Sequence, residues 1–238
     1  MTTPEQGKGQ ALVVGASSTI GAAIAVELAE LSFSLTLWGR DAGRLRRAAE
    51  ACSGADVAPH QIDVTDASQL TTGVAALVAR GPLRAVVWAA GLFDWAPAQD
   101  ADPDVWAELL DVNLVAAARI TPLVLPHLIE AAPSALVYLG SGAARSVYAN
   151  NAAYVASKHG LAGLAGATFL DVRHRDVKVS LISPGLVAAG AALQSPAGQD
   201  HPERLLQPED VAAAVRFVVT FPRRGCPIEI QLQPQREP

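Results

Sequence analysis

Tyr154 and Lys158 stand four residues apart in Tyr154-Val-Ala-Ser-Lys158, in a chain with only three tyrosines and three lysines. On a helix that spacing places both side chains on one face. A phenol with a pKa of about 10 is a reluctant acid–base group near neutrality, and an ammonium held beside it lowers that value toward the working range. Such a tyrosine can hand a proton to a carbonyl oxygen as hydride reaches the carbon. Ser141, in Leu139-Gly140-Ser141-Gly142, ends the preceding apolar run. There its hydroxyl can hydrogen-bond a substrate oxygen, although a plain turn serine would give the same pattern.

A second stretch, Gly15-Ala-Ser-Ser-Thr-Ile-Gly21, follows the apolar run Ala11–Gly15 and precedes a helical pattern. A tight turn of this kind aims backbone N–H groups and a positive helix end at a pyrophosphate. Alone it is also a common connection. About 20 residues on, where NAD-binding folds carry an acid for the ribose 2′-hydroxyl, the chain reads Trp38-Gly39-Arg40. No carboxylate stands at Gly39, and Arg40 offers a planar, permanent cation suited to a 2′-phosphate. NADP(H) is therefore favoured over NAD. Arg44, Arg46 and Arg47 follow on the next helix, and the last two fit a solvated face. Asp63-Val64 can receive an adenine amino group, or Asp63 can cap a helix.

The elements that must position these residues alternate short β-branched runs with Ala/Leu-rich amphipathic stretches, the pattern of a parallel sheet covered on both faces. Strands are expected at Ala11–Gly15, Ser34–Trp38, Ala58–Ile62, Arg84–Ala89, Ala135–Gly140, Lys178–Ser183 and Ile228–Leu232. Helices are expected at Thr19–Leu31, Ala42–Cys52, Ala67–Arg80, Pro103–Ala131, Asn151–Arg173 and Pro208–Phe221. The fold class is thus α/β, a doubly wound, Rossmann-like parallel sheet of about seven strands. No linker or repeat divides residues 1–238, so one domain is expected, with an irregular Pro-rich stretch from Pro184 to Pro208.

Composition narrows the partners. Half of the 238 residues are apolar, 17% are charged and the net charge is −5, which gives no footprint for nucleic acid. Charge and turn residues interrupt the apolar runs before spanning length, and the polar start lacks a secretory pattern, so no membrane partner and a cytoplasmic location are expected. Cys52 and Cys226 have no paired or metal-ligand spacing, so reduced thiols and no metal are expected. Asp100, Asp102, Asp104 and Asp111 mimic part of a calcium loop, but Val105 occupies the position that needs glycine. Asp102 before Pro103 reads as a helix start.

Taken together, these residues resemble the single-domain short-chain dehydrogenase/reductase family over nearly the whole chain. The resemblance implies that Tyr154 and Lys158 are the catalytic couple, that Ser141 orients the carbonyl and that Asn113, in Asp111-Val112-Asn113-Leu114, interrupts its helix to hold a water in a proton relay. It also implies a cofactor cleft formed by Gly15, Ser17, Ser18, Thr19, Ile20, Gly21, Gly39, Arg40, Asp63, Val64, Ala89, Ala90, Gly91, Tyr154, Lys158, Pro184, Gly185 and Val187. The Pro184-Gly185 turn would lie beside the nicotinamide, followed by a substrate-covering segment over residues 186–206. The chain departs from the family pattern at Thr19, which replaces the middle glycine of the first turn, and at Val14, which replaces a threonine. Trp88-Ala89-Ala90-Gly91 replaces Asn-Asn-Ala-Gly, and the C-terminal tail lacks a Gly-Gly ending.

The expected activity is NADPH-dependent reduction of a ketone or aldehyde to the alcohol. Phe93, Val147, Tyr148 and Leu186, with Leu193, suggest a hydrophobic or aromatic carbonyl substrate, although Phe93, Trp95 and Tyr148 can equally pack. The alternatives are an NAD-dependent alcohol dehydrogenase and a non-catalytic NADP-binding regulator. The family pairs helices such as Pro103–Ala131 and Asn151–Arg173, so a homodimer or homotetramer is expected; simple burial of those helices is the other reading.

Overall fold

A computed structural model describes residues 9–237. Seven strands form one parallel sheet: β1 (Gln10–Val14), β2 (Ser34–Gly39), β3 (Val57–Gln61), β4 (Leu83–Trp88), β5 (Ser134–Leu139), β6 (Val177–Pro184) and β7 (Glu229–Leu232). Their order is β3-β2-β1-β4-β5-β6-β7. The order reverses between β1 and β4, and in such sheets the crevice beyond the carboxyl ends at that switch is where ligands sit.

Burial follows the strand period of two. Leu12 and Val14 of β1 face one core with Trp88 and Tyr138. Ala11 and Val13 face the other with Leu35 and Leu37. The first core lies under α3 (Ala67–Val78), α5 (Ala116–Glu130) and α6 (Ala152–Val172), and the second under α1 (Thr19–Glu30), α2 (Ala42–Ala51) and α8 (Pro208–Thr220). Because both faces are covered, β1, β4 and β5 read as apolar runs rather than alternating strands, whereas β6 buries Lys178, Ser180 and Ser183 among its apolar residues. Edge strand β3 carries Pro59, which a central strand would not tolerate.

The segment expected as one helix over Pro103–Ala131 is broken. It runs as α4 (Pro103–Leu110), a π-helical turn at Asp111–Val115, then α5. The π turn makes room for the buried Asn113 side chain, and π-bulges of this kind favour functional positions. By length and composition alone Pro103–Glu130 could cross a membrane: its most apolar 18-residue window has a mean hydropathy of 1.5 and is 44% buried, although Asp111, Asn113 and Arg119 interrupt the run. Ala117, Ile120, Val124 and Leu128 account for part of this, since they build the first core. Asp102 caps α4 by accepting from the Asp104 N–H at 2.9 Å, with Pro103 in the first turn, as expected.

The stretch 184–208 is less irregular than its sequence suggests. It holds a 3₁₀ turn at Gly190–Gln194, the short α7 (Pro196–Asp200) and a 3₁₀ turn at Pro202–Arg204. Its ends are clamped where Ala188 N–H donates to Leu206 O at 2.7 Å and Leu206 N–H donates to Leu186 O at 3.0 Å.

Candidate active site

The β1–α1 turn is built for close approach. Gly15 has φ 88°, and a Cβ there would lie 2.6 Å from the Ala90 nitrogen, so β1 and β4 touch at the switch point through bare backbone. A Cβ on Gly21 would lie 2.3 Å from the Gly15 oxygen, which fixes α1 against the turn. Ser18 caps α1: its hydroxyl accepts from Gly21 N–H at 3.0 Å and donates to Gly15 O at 2.8 Å. Among the described residues the N–H groups of Thr19 and Ile20 have no acceptor. Thr19 occupies the first position of α1 and is not among the positive-φ residues, so a β-carbon there is unstrained. These orphan donors at a helix N-terminus fit an anionic diphosphate.

At the tip of β2, a Cβ on Gly39 would lie 2.6 Å from Ser17 Oγ, so Ser17 fills the space where an acidic side chain would start. Arg40 is exposed, and its Nη1 pairs with Glu108 Oε1 at 3.3 Å, a partner its sequence position did not reveal. The Gln61 amide donates to Arg40 O at 2.9 Å and holds the tip. Asp63 is not a helix cap: its Oδ1 accepts from both the N–H and the hydroxyl of Thr65, and Asp66 caps α3 instead. Val64 is buried in the first core. Ala89 N–H donates to Val14 O at 2.8 Å, and a Cβ on Gly91 would come 3.4 Å from Asn113 Oδ1 and 3.6 Å from Lys158 Nζ. The nucleotide turn and the tyrosine pair therefore adjoin one cleft.

Tyr154 and Lys158 share one face of α6, with the Lys158 ammonium 5.5 Å from the Tyr154 ring centroid. Lys158 is buried, and its Nζ donates to Leu139 O at 3.0 Å. Burial alone pulls its pKa down to about 8. Ser141, extended at the end of β5, accepts from Ala143 N–H at 3.2 Å and lies close enough to the Tyr154 phenol to lower its pKa. Burial outweighs that influence and raises the Tyr154 pKa, so the depression expected from Lys158 is absent. The ammonium sits over the ring and donates to the Leu139 carbonyl.

Asn113 accepts from Leu92 N–H at 2.7 Å and donates to Leu92 O at 2.9 Å. It also donates to Ser157 Oγ at 3.1 Å, and Ser157 donates to Tyr154 O at 2.7 Å. Ser157 had no signal beyond lying between the pair. Phe93 meets Tyr154 edge-on at 5.0 Å and stacks with Trp95 at 6.3 Å, which makes an aromatic wall. The Asn151 amide holds that wall's loop by donating to Asp94 O at 2.7 Å. Val147 and Tyr148 line an open groove of about 400 Å³ over α6, with Val155, Ala156 and His159, and a Cβ on Gly142, next to Ser141, would come 3.3 Å from the Tyr148 hydroxyl. Leu186 is half-exposed, and Val187 is buried against Leu206. Pro184 ends β6, and a Cβ on Gly185 would meet Gln233 Oε1 at 2.6 Å. Gln233, which no motif marked, thus packs against the turn.

A family model described as short chain dehydrogenase matches residues 10–200. The chain is 29% identical over 226 residues to an uncharacterized oxidoreductase of Staphylococcus aureus, covering 94% of this chain and 96% of that protein. It is also 29% identical over 238 residues to the glycine betaine reductase ATRR of Emericella nidulans, but spans only 19% of that protein's length and 96% of its own. A metagenomic short-chain oxidoreductase solved in complex with NADP superposes with a TM-score of 0.85 at 28% identity, over 97% of this chain and 99% of that one. With the motif residues gathered in one cleft of a matching fold, the chain belongs to the short chain dehydrogenase family and is an oxidoreductase.

Proposed function

We propose that the chain uses NADPH to reduce a hydrophobic or aromatic ketone or aldehyde to the alcohol. The observation that carries this is the meeting of the Ser141 hydroxyl and the Tyr154 phenol beside the Phe93 ring, at the carboxyl end of the sheet. Reduction adds hydride to the carbonyl carbon, which the bound nicotinamide supplies, and a proton to its oxygen. Tyr154 Oη holds that proton: the raised pKa keeps the phenol protonated at neutral pH, the form a donor needs. Ser141 Oγ can hydrogen-bond the same oxygen and fix it near Tyr154. Lys158 is charged at pH 7 and sits over the Tyr154 ring. Asn113 holds the Leu92 backbone and Ser157, and so the relative placement of the β4 exit and α6.

Residues suited to the cofactor are the orphan donors of Thr19 and Ile20 for the diphosphate, Arg40 for a 2′-phosphate, and the Pro184-Gly185 turn with Val187 for the nicotinamide end. Support for NADP comes from the NADP-bound relative and from the lack of both acid and space at Gly39. The Arg40–Glu108 pair favours a second reading, NAD-linked alcohol oxidation, because it spends the arginine's charge on a carboxylate. A cytoplasmic homodimer or homotetramer joined through α5 and α6 belongs to the same proposal, supported by the exposed apolar groove on α6.

The test is nicotinamide oxidation by purified protein against aliphatic, aromatic and polycyclic ketones, with NADPH and NADH in parallel. Turnover that requires NADPH and vanishes in Tyr154→Phe supports the reading. Preference for NADH, or Tyr154→Phe turning over as well as the wild type, overturns it.

A further inference from the structure

Lys178 is one of three lysines in the chain and lies near the start of β6, 8% exposed. Among the described residues it forms no ion pair and no side-chain hydrogen bond; the neighbouring carboxylate, Asp176, is engaged by Arg223. A small cavity of about 120 Å³ opens beside it, lined also by Arg173, Arg223, Arg224, Cys226 and the Asp176 carboxylate. The Arg173 guanidinium is held over the Phe169 ring, 5.0 Å from its centroid. Five of the chain's 18 basic residues (Arg173, Arg175, Lys178, Arg223 and Arg224) collect at this corner of a protein whose net charge is −5.

The Lys178 side chain is largely buried, but its ammonium reaches solvent and has no acceptor among the described residues, so an anion entering the cavity would find a charge not already paired. With Asp176 and Arg223 neutralising each other, Arg173, Lys178 and Arg224 leave a cationic surplus around a cavity of polar-group size. We propose that this cavity is an oxyanion site that takes a phosphate group, either free inorganic phosphate or the phosphoryl end of a small phosphomonoester. It is separate from the cofactor cleft: Lys178 and Pro184 lie at opposite ends of β6, about 20 Å apart along the strand. Burial lowers the pKa of Lys178, and a bound dianion would oppose that shift.

The test is thermal unfolding of the full chain in inorganic phosphate, in glycerol phosphate and in chloride at matched ionic strength, for wild type, Arg40→Ala, Lys178→Met and Arg224→Gln. A ligand at ten times its Kd should raise Tm by about 3–6 °C for a chain of this size. The expected result is a rise in wild type and Arg40→Ala that is lost in Lys178→Met and reduced in Arg224→Gln. A larger rise with glycerol phosphate would identify an ester's phosphoryl group as occupant; an equal or larger rise with inorganic phosphate, the free ion. No rise over chloride, or a rise lost only in Arg40→Ala, overturns the proposal. If Lys178→Met fails to fold, an undiminished rise in the surface variant Arg224→Gln overturns it as well.

Discussion

Asn113 grips Leu92 by both ends of its amide, accepting from the Leu92 N–H at 2.7 Å and donating to the Leu92 carbonyl at 2.9 Å. A side-chain amide thus imitates a strand neighbour where β4 has ended, and its remaining N–H reaches Ser157 on α6. The loop that carries Phe93 is tied in this way to the helix that carries Tyr154.

Asn113→Leu should cost about 2–3 kcal/mol, since the Leu92 groups lose their partners inside the protein. For a chain of this length that lowers Tm by roughly 5–10 °C. Asn113→Asp, which keeps the acceptor and loses the donor, should fall between the two. An equal Tm for wild type and Asn113→Leu in scanning calorimetry would show that the grip contributes nothing.

Lys158 makes stability and rate depend on pH in opposite senses. Its folded pKa of about 8 lies below the ordinary 10.5, so between those values the unfolded chain binds more protons than the folded one, and stability rises with pH across that window. Below pH 8 the full desolvation penalty is present. The reductase rate should instead fall as pH rises through about 8, because the charge beside Tyr154 is lost. Urea unfolding and initial rates followed from below pH 8 up to pH 10.5 check both, and the stability rise should disappear in Lys158→Met.

The Arg40–Glu108 pair competes with any phosphate brought to Arg40. Both side chains are more than half exposed, so the pair itself adds less than about 1 kcal/mol to stability. Glu108→Gln should lower KM for NADPH and leave Tm nearly unchanged. Arg40→Ala should raise KM for NADPH about tenfold or more, the worth of a charge-assisted hydrogen bond, with little effect on NADH. Equal changes with the two cofactors would remove Arg40 from the selectivity argument.

Ser17 should govern whether cofactor preference can be reversed at Gly39. Gly39→Asp alone forces its Cβ into Ser17 Oγ and Cβ, at 2.6 and 2.9 Å, and should reduce binding of both nucleotides. With Ser17→Gly added the clash is relieved, and NADH should become the better substrate by kcat/KM. If Gly39→Asp alone makes that switch, Ser17 does not control the space.

The sheet and its helices were legible because buried parallel strands are short apolar runs between amphipathic helices, and Gly15, Gly21 and the Tyr154–Lys158 spacing mark the cleft. The π turn was hidden because Asp111–Val115 has ordinary helical composition; only the neighbourhood of Asn113 shows why the helix widens. The short helical turns after β6 escaped notice since proline, glycine and serine start short helices as readily as they form loops. Glu108, Ser157 and Gln233 carry no motif, and they reach the site only through tertiary packing. The Tyr154 pKa was misjudged for a related reason: spacing puts Lys158 on the right face but says nothing of how deeply the phenol is buried.

The clamp between Val187 and Leu206 ties together the two ends of the segment after β6, which also reaches the C-terminal tail through Arg204 and Glu237. Its two ends are fastened to each other, so what lies between them can change length or composition while β6 and α8 keep their places. Exchanging residues 188–205 with those of a relative, while keeping the Val187–Leu206 pairing, tests whether this segment, expected to cover the substrate, sets specificity.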